Sequence, residues 1–110
     1  MDKHTEGVAY AAGLLEGEGS IRSNGVSAII QIQMCDKEPL DKLKDIFSCG
    51  VVRGPYTRGR TKPTYTWTIA ERKCVQPILN AIYPFMSPRR QEQIDSVRHI
   101  FESPKKSRWN

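Results

Sequence analysis

Hydrophobic and polar positions alternate along this chain with two different periods. Between residues 6 and 17 apolar side chains recur at helical spacing, with Val8, Ala11, Ala12 and Leu15 on one face and Thr5 placed to cap, which predicts a helix. From Ser20 to Met34 the period falls to two. Ile21, Val26, Ala28, Ile30, Ile32 and Met34 alternate with Ser20, Arg22, Ser27, Ile29, Gln31 and Gln33, and Ser23-Asn24-Gly25 supplies the turn of a hairpin with one apolar and one polar face. Asp36 is the expected cap of a short helix bearing Leu40, Leu43, Ile46 and Phe47, ended by Gly50. A second hairpin is predicted from Val51 to Tyr56 and from Thr64 to Ala70. In its second strand Tyr65, Trp67 and Ile69 alternate with Thr64, Thr66 and Thr68, so Tyr65 and Trp67 read as core rather than as platforms for bases. Val75 to Tyr83 reads as a helix with Pro77 in its first turn and Pro84 ending it; Pro88 opens a last helix to about Glu102, carrying Ile94, Val97, Ile100 and Phe101. The order predicts one mixed α+β domain with no internal repeat. A four-stranded antiparallel sheet carries helices on one side and leaves its other face open.

Composition sharpens this picture without changing it. The 110 residues suffice for one core, here assigned to residues 1–103 with a basic tail over 104–110. Seventeen Lys and Arg against twelve Asp and Glu leave a formal charge of +5, which suits a polyanionic partner. The clustering says more than the total: Arg53, Arg58, Arg60 and Lys62 form one group, Arg89 and Arg90 a second, and Lys105, Lys106 and Arg108 a third. Cys35, Cys49 and Cys74 are odd in number and widely spaced, which suggests neither a disulfide framework nor a zinc site and points to a reducing compartment. With no signal-peptide pattern and no membrane-length apolar run, the expectation is a soluble intracellular protein of cytoplasm, nucleoid or organelle matrix, with no membrane partner.

The first helix holds two anomalies. Ala9, Gly13 and Gly17 recur every fourth residue and form a stripe almost without side chains, although Gly in a helix costs about 0.5–1 kcal/mol relative to Ala. A second helix backbone approaching that stripe would justify the loss. At its end stand Glu16 and Glu18, where the helix dipole already disfavours negative charge.

The open face of the sheet would present Ser20, Arg22, Asn24, Ser27, Gln31, Gln33, Arg53, Thr64, Thr66 and Thr68, beside the loop with Arg58, Arg60 and Lys62. Arg pairs with guanine and Asn or Gln with adenine in the major groove, while Ser and Thr serve either. A solvated sheet face is the bland reading of the same residues; the near absence of carboxylates and the basic loop favour DNA. No Gly-x-Gly-x-x-Gly or Walker motif is present, so no nucleotide cofactor is expected, and His4 and His99 stand without partners that would suggest a triad or zinc.

Ala12-Gly13-Leu14-Leu15-Glu16-Gly17-Glu18-Gly19, followed by a Ser-Ile strand, resembles the signature of the LAGLIDADG homing endonucleases of the single-motif type. The αββαββα order extends the resemblance over roughly residues 7 to 102. Ala11 stands where the signature has Leu, and Glu replaces Asp at both acidic positions. The resemblance implies a saddle-shaped sheet on double-stranded DNA and a homodimer packed through Ala9, Ala12, Gly13, Glu16 and Gly17. It further implies a metal site at Glu18 and the Gly17 carbonyl, with Mg²⁺ the expected ion and Mn²⁺ a substitute, in an enzyme that hydrolyses phosphodiester bonds. The basic residue near the scissile phosphate maps onto Arg90, or onto Arg89 if the register slips by one, and Gln91 or Gln93 could orient water. Glu16 carries no catalytic role in this reading but contributes packing or hydrogen bonding at the helix end. A homing endonuclease of an intron or other mobile element would then cut a long pseudo-palindromic site and leave 3′ overhangs. The alternatives from other classes are an inactive relative acting as an RNA-splicing maturase or DNA-binding regulator, or a general protein-interaction domain.

Overall fold

The computed structural model describes residues 2–57, 59 and 62–102, the last four by their backbone alone. Along the chain come α1 (Lys3–Glu18), β1 (Gly19–Ser23), β2 (Ala28–Met34), α2 (Glu38–Phe47), β3 (Val51–Tyr56), β4 (Thr64–Ile69), α3 (Arg72–Ile82), a 3₁₀ turn at Tyr83–Phe85, and α4 (Pro88–Glu102). The strands form one antiparallel sheet in the order β1-β2-β4-β3, so the two hairpins join through β2 and β4.

Register decides which side chains are inside. Ile30 stands opposite Ile21 and Ile69, and Ile32 opposite Gly19 and Trp67. Since neighbouring side chains along a strand point to opposite faces, this pairing gathers Ile21, Ala28, Ile30, Ile32, Trp67 and Ile69 on one face. There they are buried with Val8, Ala11, Ala12 and Leu15 of α1, Leu40 and Leu43 of α2, Val75, Ile78, Leu79 and Ile82 of α3, and Ile94 and Val97 of α4. Trp67 lies at the centre, fully buried, with its ring stacked on Phe47 at 6.1 Å between centroids and its Nε1–H donating to the Cys49 carbonyl at 3.1 Å. Gly50, at φ 97°, leaves the space this indole needs: a Cβ there would collide with it.

Several expected boundaries move. α1 is capped by Asp2 rather than Thr5: the Asp2 carboxylate accepts from the Thr5 backbone N–H at 2.7 Å, a bond that also holds its pKa below the usual value. Asp36 does not cap α2, because the backbone at Lys37 is already helical and the Lys37 carbonyl accepts from Leu40 and Asp41. That helix stops at Ser48, in the left-handed region at φ 53°, before Gly50 is reached. α3 starts at Arg72, so Pro77 lies inside the helix rather than in its first turn. Val26 is 81% exposed and not core, because Asn24 Oδ1 accepts from the N–H groups of both Val26 and Ser27 and the resulting turn delays β2 until Ala28.

Cys49 and Cys74, read as unpaired thiols, are joined as a disulfide that ties the segment before β3 to α3, with Cα atoms 6.3 Å apart. Only the fold brings them together across 25 positions of sequence. Pro84 stands in the 3₁₀ turn just past α3, and Pro88 opens α4, both as the sequence predicts. The side chains of Ile100 and Phe101, together with Arg58, Arg60 and the tail from residue 103, lie outside the described residues. No helix among the described residues is long and apolar enough to cross a membrane.

Candidate functional site

The end of α1 is built by exchange with α4. The half-buried Glu16 carboxylate accepts the Ser87 backbone N–H on Oε1 and the Ser87 hydroxyl on Oε2, each at 2.8 Å. Ser87 immediately precedes α4, and its hydroxyl accepts the Arg90 backbone N–H at 3.3 Å. This is the arrangement of a capping box, with one change. The third helical position, where Glu or Gln would close the box, holds Arg90, which has no acceptor, so Glu16 supplies the carboxylate from another helix.

Arg90 returns the contact. It is only 6% exposed; its Nη2 donates to the carbonyls of Gly19 at 2.8 Å and Glu16 at 3.2 Å, and its Nη1 to Gln93 Oε1 at 2.7 Å. An anion thus meets the positive N-terminus of α4 and a cation the negative C-terminus of α1. The Ser87 N–H, then its hydroxyl, then Arg90 and Arg89 hold the Glu16 carboxyl below its ordinary pKa, and burial lowers that of Arg90. The anomaly of an acid near a helix C-terminus is resolved for Glu16 by its reach to a different helix.

Glu18 is different. It is the last residue of α1, exposed, and no hydrogen bond or ion pair from another described residue engages its carboxylate. Gly13 and Gly17 are exposed as well, and a Cβ built on either would meet nothing within 4 Å; Ala9 is half-buried on the same stripe. The small stripe is therefore an uncovered outer surface that runs into Glu18. Ala12, placed on the expected dimer face, is fully buried in the core of its own domain, and the Glu16 carboxylate, also placed there, is turned to Ser87. Gly19 closes the turn with a different constraint: a Cβ would lie 2.7 Å from the Leu15 carbonyl oxygen.

Among the described residues no group of three or more His, Cys, Asp and Glu side chains could hold a metal ion. The Glu18 carboxylate and the Gly17 carbonyl are hard oxygen donors that fit a divalent ion such as Mg²⁺. One chain supplies only part of such a coordination shell. Arg89, beside Arg90, is exposed on the first turn of α4, while Gln91 Nε2 donates to the Tyr83 carbonyl at 2.9 Å and is occupied with the turn before that helix.

The face of the sheet away from the core carries the predicted polar set in rungs. Ser20, Gln31, Thr68 and Val51 stand side by side across all four strands; Gln33, Thr66 and Arg53 form the next rung, Arg22 and Ile29 another, and Tyr56 pairs with Thr64. No rung contains a carboxylate. Arg22 Nη1 donates to Ser20 Oγ and Gln33 Nε2 to Thr64 Oγ1, both at 3.1 Å. Asn24 and Ser27 fall in the turn beyond the rungs, where the Asn24 side-chain oxygen holds the backbone; Lys62 is exposed next to β4. Ile29 and Val51 share this face though neither was among the expected contacts; strand alternation alone could have placed both there. Ser87 was missed as well, and its signal was Ser-Pro at a helix start.

No sequence model of a protein family and no curated protein sequence matches this chain. Solved structures do. The homing endonuclease I-CvuI, in complex with a DNA target in the presence of Mg, superposes with a TM-score of 0.72 at 16% identity, over 94% of this chain and 72% of its own. The homing endonuclease I-TnaI gives 0.69 at 20% identity, over 93% and 74%. The LAGLIDADG meganuclease I-AabMI, bound to uncleaved DNA, gives 0.68 at 15% identity, and there 84% of this chain covers only 34% of the other. The four-stranded antiparallel sheet, the four helices packed on one side of it and the helix that ends in Gly17-Glu18-Gly19 make this chain an α+β protein with the fold of the LAGLIDADG homing endonucleases.

Proposed function

We propose that this chain is a site-specific endonuclease of double-stranded DNA that acts as a homodimer on a long pseudo-palindromic site. The observation that carries the reading is the continuity of one surface: an uncovered stripe of small residues ends at the exposed Glu18, and the carboxylate-free sheet face begins two residues later at Ser20. Two copies packed through Ala9, Gly13 and Gly17 bring two Glu18 side chains to the dyad and join two sheet faces into one groove, as two-fold recognition of half-sites requires. Solved neighbours bound to DNA support the same reading.

In this arrangement each residue has a task. The sheet rungs and the basic β3–β4 loop hold the duplex, base edges on the rungs and phosphates on the cations. Glu18 and the Gly17 carbonyl would hold a divalent ion, Mg²⁺ or Mn²⁺, which when bound supplies charge neutralisation for the attacking and leaving oxygens of phosphodiester hydrolysis. I-CvuI is known on DNA with Mg and with Ca, in keeping with a hard divalent ion. Arg90 sets the height of the α1–β1 junction from which Glu18 projects, and the exposed Arg89 is the cation free to meet a phosphate. Paired cuts near the dyad leave 3′ overhangs.

The test is cleavage of a randomised duplex library with Mg²⁺, with EDTA, and by the Glu18→Gln variant. Double-strand cuts at one pseudo-palindromic sequence, absent with EDTA and in the variant, establish the reading. A folded protein that binds duplex or structured RNA without cutting overturns it in favour of a maturase or regulator.

A further inference from the structure

One rung of the open face joins two unlike side chains. Arg22 on β1 stands directly opposite Ile29 on β2, the guanidinium exposed and the isoleucine half-buried. Arg22 Nη1 donates to Ser20 Oγ two residues back on the same strand, at 3.1 Å. That bond draws the guanidinium along β1 and limits its rotamers before any ligand arrives, so less freedom is lost on binding. It uses one of five N–H groups; Nη1 keeps a second hydrogen and Nη2 both of its own, a planar two-donor edge. Such an edge matches the O6 and N7 acceptors of guanine.

Ile29 can neither donate nor accept. In the major groove the apolar feature of a base pair is the thymine methyl group. Opposed residues in an antiparallel pair are roughly 4.5–5.5 Å apart, against a rise of about 3.4 Å between base pairs, so the two side chains address the same or adjacent steps. The flanking rung sets Ser20 and Gln31 next to Arg22 and Ile29, with Thr68 and the apolar Val51 farther along it, so hydrogen-bonding groups border Ile29 on its own and the neighbouring strand.

We propose that Arg22, Ile29 and Ser20 act as one reading unit that selects a guanine beside a thymine. Arg22 and Ile29 contact the bases, and Ser20 is a positioning residue for the guanidinium. The inference rests on the DNA-reading role of the sheet face given above.

The test takes the duplex recovered from the library and replaces each guanine by 7-deazaguanine, which lacks N7, and each thymine by uracil, which lacks the methyl. Affinity is then measured for the wild type and for Arg22→Ala, Ile29→Ala and Ser20→Ala. The expected result is one guanine and one adjacent thymine in each half-site whose alteration weakens the wild type, by on the order of tenfold for the guanine and less for the methyl. Arg22→Ala loses the first sensitivity and Ile29→Ala the second. Ser20→Ala weakens the guanine sensitivity while the salt dependence of binding, set by phosphate contacts, stays the same. Tight binding with both sensitivities unchanged in the variants overturns the reading unit and leaves the endonuclease standing. Recovery of no duplex at all overturns the endonuclease reading and the unit with it.

Discussion

Glu16 and Glu18 sit two residues apart at the end of one helix and belong to two different regions. Glu16 is part of the closed junction between α1 and α4, where its oxygens and the donors of Ser87 and Arg90 satisfy one another. Glu18 opens onto the surface formed by the glycine stripe and the sheet face, where no described residue engages it. The first region is closed by bonds within the chain, and the second leaves a carboxylate and a stripe of glycines facing outward. Identical side chains at nearly the same place on a helix dipole thus divide, because one has a helix N-terminus within reach and the other does not.

Exchanging the two acids separately is the strongest way to break this contrast. Glu18→Gln is expected to lower metal-dependent cleavage by roughly two orders of magnitude or more, with duplex affinity and melting temperature retained. Glu16→Gln is expected to lower the melting temperature, because the neutral amide meets the α4 N-terminus without its charge. Cleavage rates and thermal melts on both variants check the pair; a reversed outcome would merge the two regions.

Arg90→Ala should be the largest single loss within the junction. It removes charge-assisted bonds to the Glu16 and Gly19 carbonyls and leaves those groups half-buried, and denaturant unfolding is expected to show about 2–3 kcal/mol of destabilisation. Arg90→Lys should recover part of it. Ser87→Ala, which removes a helix cap, should lose about 1 kcal/mol.

On the open side, Gly13 offers a measurement with opposite signs. Within one chain a Cβ at Gly13 meets nothing, so Gly13→Ala should stabilise the monomer by about 0.5–1 kcal/mol. If the stripe is where two chains pack, Gly13→Leu should weaken the dimer in analytical ultracentrifugation while leaving the fold intact. An unchanged dimer would remove the stripe from the interface.

The smallest effect is one of pH. The Glu16 carboxyl titrates below its ordinary value of 4.5 when folded, so its contribution to stability is fully present above that value and fades as pH falls through the lowered folded pKa. Urea midpoints followed downward from neutral pH should show this loss in the wild type and lack it in Glu16→Gln.

Much of this architecture was legible along the chain. The change of period at Ser20 announced the passage from helix to strand, the alternation in Thr64–Ile69 separated threonines from core, and Pro88 marked the start of α4. Each is a local consequence of backbone geometry, since 3.6 residues per helical turn and two per pleat leave their mark within a few residues. The small stripe and the acidic turn were legible for the same reason, whereas Gly17 and Glu18 came forward as candidate metal donors only through the resemblance.

What the chain could not announce was long-range partnership. Helical spacing already separated Ala9, on the uncovered stripe, from Ala12, on the buried face, and it was the resemblance that placed Ala12 on a dimer face although it is fully inside. Cys49 meets Cys74 and Trp67 reaches the Cys49 carbonyl only once the segment before β3 lies against the sheet and α3. Glu16 finds its donors 71 positions away, at a helix N-terminus that needs a carboxylate because its own third residue is an arginine. The sequence by itself determined the order of the elements and the alternation that separates the two faces of the sheet. The tertiary structure alone decided which acid is satisfied, because hydrogen bonds between helix ends form only where packing has already brought donor and acceptor together.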